Sequence, residues 1–287
     1  MEPQSIGEVM NLLELEEIEQ THYRATSPSE GWQRVYGGQV LGQALVAASR
    51  TVSDDRPAHS LHGYFLRAGD TETPILYKVD RIRDGKSFTT RNVVAIQHGR
   101  AIFSMSISFQ LTEEGFEHQA DMPEVPAPEE LRDESEWRAE QAEQLPAEFR
   151  ESFLRDRPID FRPIAPQDLL NPGKRPPNQQ CWMKCADPLP DDPRLHQCVL
   201  AYLSDWSLLD TGTYPHGLSY LNDKLQMASL DHAMWFHRPF RADEWLLYVQ
   251  DSPSASGARG FNRGQIFNQA GELVASAAQE GLMRLHQ

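Results

Sequence analysis

Two polar residues stand in largely apolar runs, and a third, ordinary by itself, can join them. Asp205 interrupts Val199-Leu-Ala-Tyr-Leu-Ser-Asp-Trp-Ser-Leu-Leu209, and a carboxylate in such company is costly unless it is paired or used. Gln279 falls in Leu273-Val-Ala-Ser-Ala-Ala-Gln-Glu-Gly-Leu-Met283, a run of small and apolar residues in which a buried amide needs partners. Ser229 lies in Met227-Ala-Ser-Leu-Asp-His232. Each admits a bland reading: Asp205 facing water, Gln279 at the wet end of a strand, Ser229 as an ordinary hydroxyl. Together, a carboxylate, a hydroxyl and an amide can hold a water molecule and remove its proton as it attacks. Gly37 and Gly38, ahead of an apolar run, add a fourth part. Glycines at a helix N-terminus let a substrate carbonyl approach free backbone N–H groups, which makes Gly38 a candidate oxyanion donor, although a plain turn and helix start explains the pair equally well.

The elements that must position these groups are legible as a repeat. His62-Gly-Tyr-Phe-Leu-Arg67 is followed by Gly99-Arg-Ala-Ile-Phe-Ser104, and His232-Ala-Met-Trp-Phe-His-Arg238 by Gly271-Glu-Leu-Val-Ala-Ser276, so two copies of one unit are expected. Superposing the copies on His62/His232 and Gly99/Gly271 sets Ser229 against His59, Asp231 against Leu61 and Gln279 against Ile107. The second copy is the more polar, which places the chemistry there. In the first, a short amphipathic helix at 6–13 and a polar strand-like stretch at 17–26 precede a helix over 39–49 that is apolar on nearly all sides. Strands follow at 59–67, 74–83, 87–98 and 101–110, the last alternating Phe103, Met105, Ile107 and Phe109 with serines. The second copy runs through a strand at 179–186, a helix at 193–209 and strands at 226–238, 244–251, 258–268 and 272–284. One helix wrapped by an antiparallel sheet, used twice, is an α+β double hotdog. Its units are expected at 1–111 and 178–287, with the two sheets joined into one surface.

Between them, residues 112–177 form an acidic, proline-rich linker with one polar helix within 129–155, whose Leu145, Phe149, Phe153 and Leu154 touch the body. No chemistry is expected of it. The net charge of −15 is concentrated here: residues 111–160 carry 16 acids and 5 arginines, so the rest of the chain is near neutral and a phosphorylated ligand is not excluded. No basic stripe with interleaved aromatics points to nucleic acid. There is no apolar run of membrane-spanning length and no secretion signal, so no membrane insertion and a cytoplasmic location are expected. Cys181, Cys185 and Cys198 are expected to be reduced, since the Cys181–Cys185 spacing suits neither a zinc nor a redox pair. Nucleophile-elbow, phosphate-loop, zinc-protease and dinucleotide signatures are absent from the sequence.

The runs Gly37-Gly-Gln-Val-Leu-Gly-Gln-Ala-Leu45, His59-Ser-Leu-His-Gly-Tyr-Phe-Leu-Arg67, Asp231-His-Ala-Met-Trp-Phe-His-Arg-Pro-Phe240 and Ser276-Ala-Ala-Gln-Glu-Gly-Leu-Met-Arg284 resemble acyl-CoA thioesterase II, the TesB-type family of bacteria and peroxisomes, from about residue 5 to 286. The resemblance implies hydrolysis of fatty acyl-CoA to free acid and CoA, without metal or added cofactor, in fatty acid metabolism. It implies a catalytic Asp at Asp205, a Gln at Gln279 and a hydroxyl at Ser229, where many members carry Thr; a Ser lacks the methyl that restricts the rotamer. His59 is a secondary candidate from the same source. Arg259, Arg263 and Lys86 are possible contacts for the CoA phosphates, and the acyl chain is expected between sheet and helix. A homo-oligomer, dimer or tetramer, is implied. The C-terminus is not a peroxisomal address. Two rivals remain: another acyl-CoA enzyme of this fold, such as an enoyl-CoA hydratase, and a non-catalytic acyl-CoA-binding protein. The Asp231-His232 pair that a hydratase could use is poorly built for joint work, since adjacent strand residues face opposite ways.

Overall fold

A computed structural model describes residues 6–27, 34–145, 147–154, 158–186 and 188–286. The chain starts with helix α1 (Ile6–Leu13), strands β1 (Glu16–Glu19) and β2 (His22–Ala25), and helix α2 (Gly37–Ser49). Strands β3 (Ala58–Phe65), β4 (Ile75–Asp84), β5 (Phe88–Gln97) and β6 (Arg100–Gln110) wrap α2. Helices α3 (Glu134–Ala142) and α4 (Ala147–Leu154), strands β7 (Ile159–Pro163) and β8 (Asn178–Cys185) and helix α5 (Pro193–Ser204) follow. The chain closes with β9 (Leu225–Ser229), β10 (Asp231–Phe236), β11 (Leu246–Ser256), β12 (Arg259–Asn268) and β13 (Leu273–Leu285). Among the described residues the strands form one antiparallel sheet, ordered β1-β2-β4-β5-β6-β3-β10-β13-β12-β11-β8-β7, with β9 also on β13.

The period-2 pattern produces this sheet. In β6, Phe103, Met105, Ile107 and Phe109 are buried against α2 while Ser106 faces out. α2 is buried along nearly its whole length, as its composition predicts, because the sheet covers one side and α5 the other. Gly38 and Gly42, one turn apart, allow that close approach. A Cβ at Gly42 would sit 3.0 Å from the Cys198 carbonyl, and one at Gly38 would collide with that of Tyr202.

The two halves meet at β3 and β10, where His62 lies directly opposite Ala233 and Gly63 opposite His232. A bulge at Ile102 in β6 is matched by one at Val274 in β13, which sets Phe103 against Ala275 and Ile107 against Gln279, as expected from the repeat. The next strand corrects the superposition by one residue. Gly63 pairs with Met105, and its counterpart Met234 with Ala277. The structural equivalents are therefore His62 with Ala233 and Leu61 with His232. Burial agrees, since His62 is exposed whereas Leu61 and His232 are both 0 % exposed. By the same register, Ser229 opposite Gly281 corresponds to Ala58 opposite Phe109, and His59 sits in a bulge. Slipping a strand by one residue exchanges its faces, so matching the two histidines by motif misplaced Ser229.

Three further expectations change. The strand expected over 226–238 divides at Leu230, because the Asp231 carboxylate accepts the Glu280 N–H at 2.7 Å and replaces a ladder bond. The helix expected over 193–209 ends at Ser204, leaving Asp205 as its C-cap. The stretch read as a linker supplies β7, paired with β8, and two helices rather than one. Leu145 and Phe153 pack there with Ala142 and Leu169; Leu154 is exposed, and the side chains of Phe149 and Ile6 lie outside the described residues. No helix among the described residues is long and apolar enough to cross a membrane.

Candidate active site

Asp205 is delivered by the end of α5. Asp192 caps the start of this helix, accepting from the Arg194 N–H, with Pro193 in its first turn. At the other end the chain leaves through Asp205, and Ser207 adopts a left-handed φ of 62°. Ser207 is held by Gln250, whose Nε2 donates to its Oγ at 3.0 Å. Ser204 O accepts from the Tyr248 hydroxyl at 2.9 Å and Tyr202 O from that of Tyr36 at 3.1 Å, so the last carbonyls of the helix are satisfied.

The structure brings Asp205, Ser229 and Gln279 together. Gln279 Nε2 donates to Asp205 Oδ1 and, at 3.0 Å, to Ser229 Oγ; Ser229 Oγ donates to the same Oδ1 at 3.2 Å. The Asp205 side chain is only 6 % exposed and Gln279 fully buried. Gln279 Oε1 is buried with no partner among the described residues, leaving an acceptor beside the carboxylate for a hydrogen from water or substrate. Gly38 departs from its expected role. Its N–H donates to Asp205 Oδ2 at 3.0 Å, so it orients the carboxylate at the N-terminus of α2, a favourable position for negative charge, instead of standing free for an oxyanion. Gly37 must stay small, since a Cβ there would meet Oδ2 at 2.6 Å.

This site sits inside a chain with close relatives of named activity. The acyl-CoA thioesterase model matches residues 149–282, and the acyl-CoA thioesterase N-terminal domain model residues 27–110. Acyl-CoA thioesterase 2 of Haemophilus influenzae is 41 % identical over 279 residues, covering 97 % of this chain and 98 % of that one. The chain belongs to the acyl-CoA thioesterase family. Acyl-coenzyme A thioesterase 8 of Homo sapiens is 40 % identical, over 96 % of this thioesterase and 89 % of the relative. The crystal structure of acyl-CoA thioesterase II TesB2 from Mycobacterium marinum superposes with a TM-score of 0.79 at 48 % identity, covering 96 % of this chain and 98 % of that one. The chain is thus a thioester hydrolase of the double hotdog fold, and neither the hydratase nor the binding-protein reading gains support.

Other expected site residues of the thioesterase lie apart from the trio. His59 donates to or accepts from Ser108 Oγ at 2.8 Å, and burial lowers its pKa. It lines an 850 Å³ groove with Pro193 and Arg194, at the start of α5, whereas Asp205 is at its end; a twelve-residue helix spans about 18 Å. Arg259 pairs with Glu280 at 2.8 Å and Arg263 with Asp251 at 2.5 Å, both on the exposed face of β12. Asn262 and Gln279 face the opposite, interior side, so the sheet separates these two arginines from the trio. Lys86 is exposed near the β4–β5 turn.

A fourth side chain of the thioesterase, read in the sequence as part of an Asp231-His232 pair, adjoins the trio. His232 is fully buried, with Nε2 2.9 Å from Ser204 Oγ and Nδ1 4.0 Å from Asp205 Oδ1. Ser204 Oγ also donates to Ala201 O at 2.9 Å. Burial lowers the His232 pKa to about 4, against an opposing pull from Asp205, so the ring is neutral near neutral pH. In sequence His232 shows as a repeat anchor and as half of the Asp231-His232 pair, and matching it with the exposed His62 hides its burial beside Asp205.

Proposed function

We propose that this thioesterase hydrolyses fatty acyl-CoA by direct attack of a water held among Asp205, Ser229 and Gln279. Asp205 accepts a proton from the water as its oxygen attacks the thioester carbonyl carbon. The C–S bond then breaks, and the proton leaves with the CoA sulfur. Gln279 and Ser229 fix the carboxylate and present hydrogen-bonding groups to the water, and Gly38 N–H and Ser229 Oγ–H hold the two carboxylate oxygens in one orientation. No acyl-enzyme forms, and no metal or cofactor enters the reaction. The observation that supports this most is the convergence of Gln279, Ser229 and Gly38 on one nearly buried carboxylate.

The wider reading is a cytoplasmic homo-oligomer in fatty acid metabolism, with residues 1–111 and 178–287 as its units. Tyr64 and Trp235, exposed on the outer face where β3 and β10 join, support a self-association surface. Asp205→Asn tests the chemistry, because it keeps shape while removing the base. Thiol release should fall about 10²- to 10⁴-fold with thermal melting unchanged, and turnover close to the parent's would refute the proposal.

A further inference from the structure

Beside Asp205 lies a cavity of 230 Å³, lined at the β8–β7 edge of the sheet and by residues outside it. Trp137, Phe161, Pro163, Pro166 and Leu169, all from the segment between the two units, line it. Tyr36, Trp206, Tyr214 and Tyr220 add aromatic surface to the lining. The charged residues that line it are Glu134, Asp205 and Asp210, all carboxylates, so the phosphates of CoA are repelled from it while an alkyl chain finds aromatic and proline surface. The course expected in the sequence, between sheet and helix, is filled by Leu41, Leu45, Val199 and Leu200, each fully buried.

We infer that this cavity seats the acyl chain and that the connecting segment sets chain-length preference. The inference rests on the proposed role of Asp205, since the cavity matters because it ends at that carboxylate. A cavity of this size holds a short chain more readily than a long one. Longer chains must press into the cluster of Ala142, Leu145, Phe153 and Leu169 that closes the far side. A segment whose sequence offers no chemistry thereby becomes a specificity element. Leu169 is its natural stop, being 7 % exposed and shared between that cluster and the cavity.

The test is kcat/KM for thiol release from butanoyl-, octanoyl- and hexadecanoyl-CoA by the full-length parent, Leu169→Phe and Trp137→Ala. Filling the cavity with Leu169→Phe should lower the hexadecanoyl-to-butanoyl ratio by about tenfold, and Trp137→Ala, which opens it, should raise the ratio by a similar factor. Trp137 is only partly buried, so if Leu169→Phe melts early the second variant decides alone. A ratio equal to the parent's in the folded variants, or shifts in the same direction for both, would overturn the inference. Asp205→Asn on the same substrates separates the two proposals. A uniform drop keeps the catalytic reading whatever the ratios show, and an undiminished rate removes it while the ratios still report on the cavity.

Discussion

The antiparallel pair α2 and α5 has two ends, built alike and equipped differently. At one end the C-cap of α5 is Asp205, whose carboxylate reaches the N-terminus of α2 and gathers Gly38, Ser229 and Gln279. At the other, the C-cap of α2 is Arg50. There the Arg194 guanidinium crosses over to bond the Ser49 carbonyl at 3.2 Å and those of Val52 and Ser53, and it pairs with Asp54 at 2.9 Å. Ile107 stands where Gln279 stands, Ala58 for Ser229 and Leu61 for His232. Opposite Ile107, in place of Asn262 opposite Gln279, is Arg91, whose guanidinium fastens Thr51 through Oγ1 at 2.9 Å and the carbonyl at 3.0 Å. One end concentrates hydrogen-bond donors on a carboxylate; the other uses arginines to close helix and loop carbonyls. The duplicated fold therefore supplies geometry twice and a water-activating set once.

Each residue of the working end has a first-half counterpart that can be written into it. The largest effect is expected at the base, where Asp205→Asn should cost the 10²- to 10⁴-fold in turnover given above, a change with no analogue at Arg50. Next is His232→Leu, which copies Leu61. A buried His with a lowered pKa favours folding fully above its unfolded value of 6.5, and that contribution is lost as pH falls from 6.5 toward about 4. The loss amounts to about 3 kcal/mol of stability across this window, and urea titrations at several pH values should show it in the parent and a flatter acid limb in the variant. An equally steep limb in His232→Leu would place the acid sensitivity elsewhere. The smallest is Ser229→Ala, copying Ala58. It removes one hydrogen bond to a carboxylate, a contribution of about 1.5 kcal/mol, so kcat should drop roughly tenfold with little change in melting temperature. An unaltered kcat would leave Ser229 as a packing residue.

Much of this comparison is legible in the amino-acid sequence. Alternation in β6 and the small, apolar make-up of α2 identify the helix-in-sheet unit, because burial on one side of a strand and all round a helix leaves a periodic trace. Asp205 and Gln279 stood out for the same reason, as polar groups in apolar runs. What stayed hidden is set by pairing across the chain. The equivalence of β3 and β10 rests on the pairing of Gly63 with Met105 and of Met234 with Ala277, which local similarity around His62 and His232 does not encode, and so the place of His232 beside Asp205 is not legible there. The Gly38 bond to Asp205 joins residues from different halves, and helix length by pattern runs past the cap at Asp205. Phe161 and Leu169 wall the cavity from a proline-rich stretch without helical or strand periodicity long enough to notice.

The claim that chemistry resides at one end is tested most directly by comparing Gln279→Leu with Ile107→Leu, which put the same side chain at the two equivalent positions. Measured as kcat/KM for thiol release, Gln279→Leu should lose about 10²-fold, the scale of a misplaced reacting group, and Ile107→Leu should retain the parental rate. Equal losses in the two variants, or a Gln279→Leu enzyme as fast as its parent, would contradict the account.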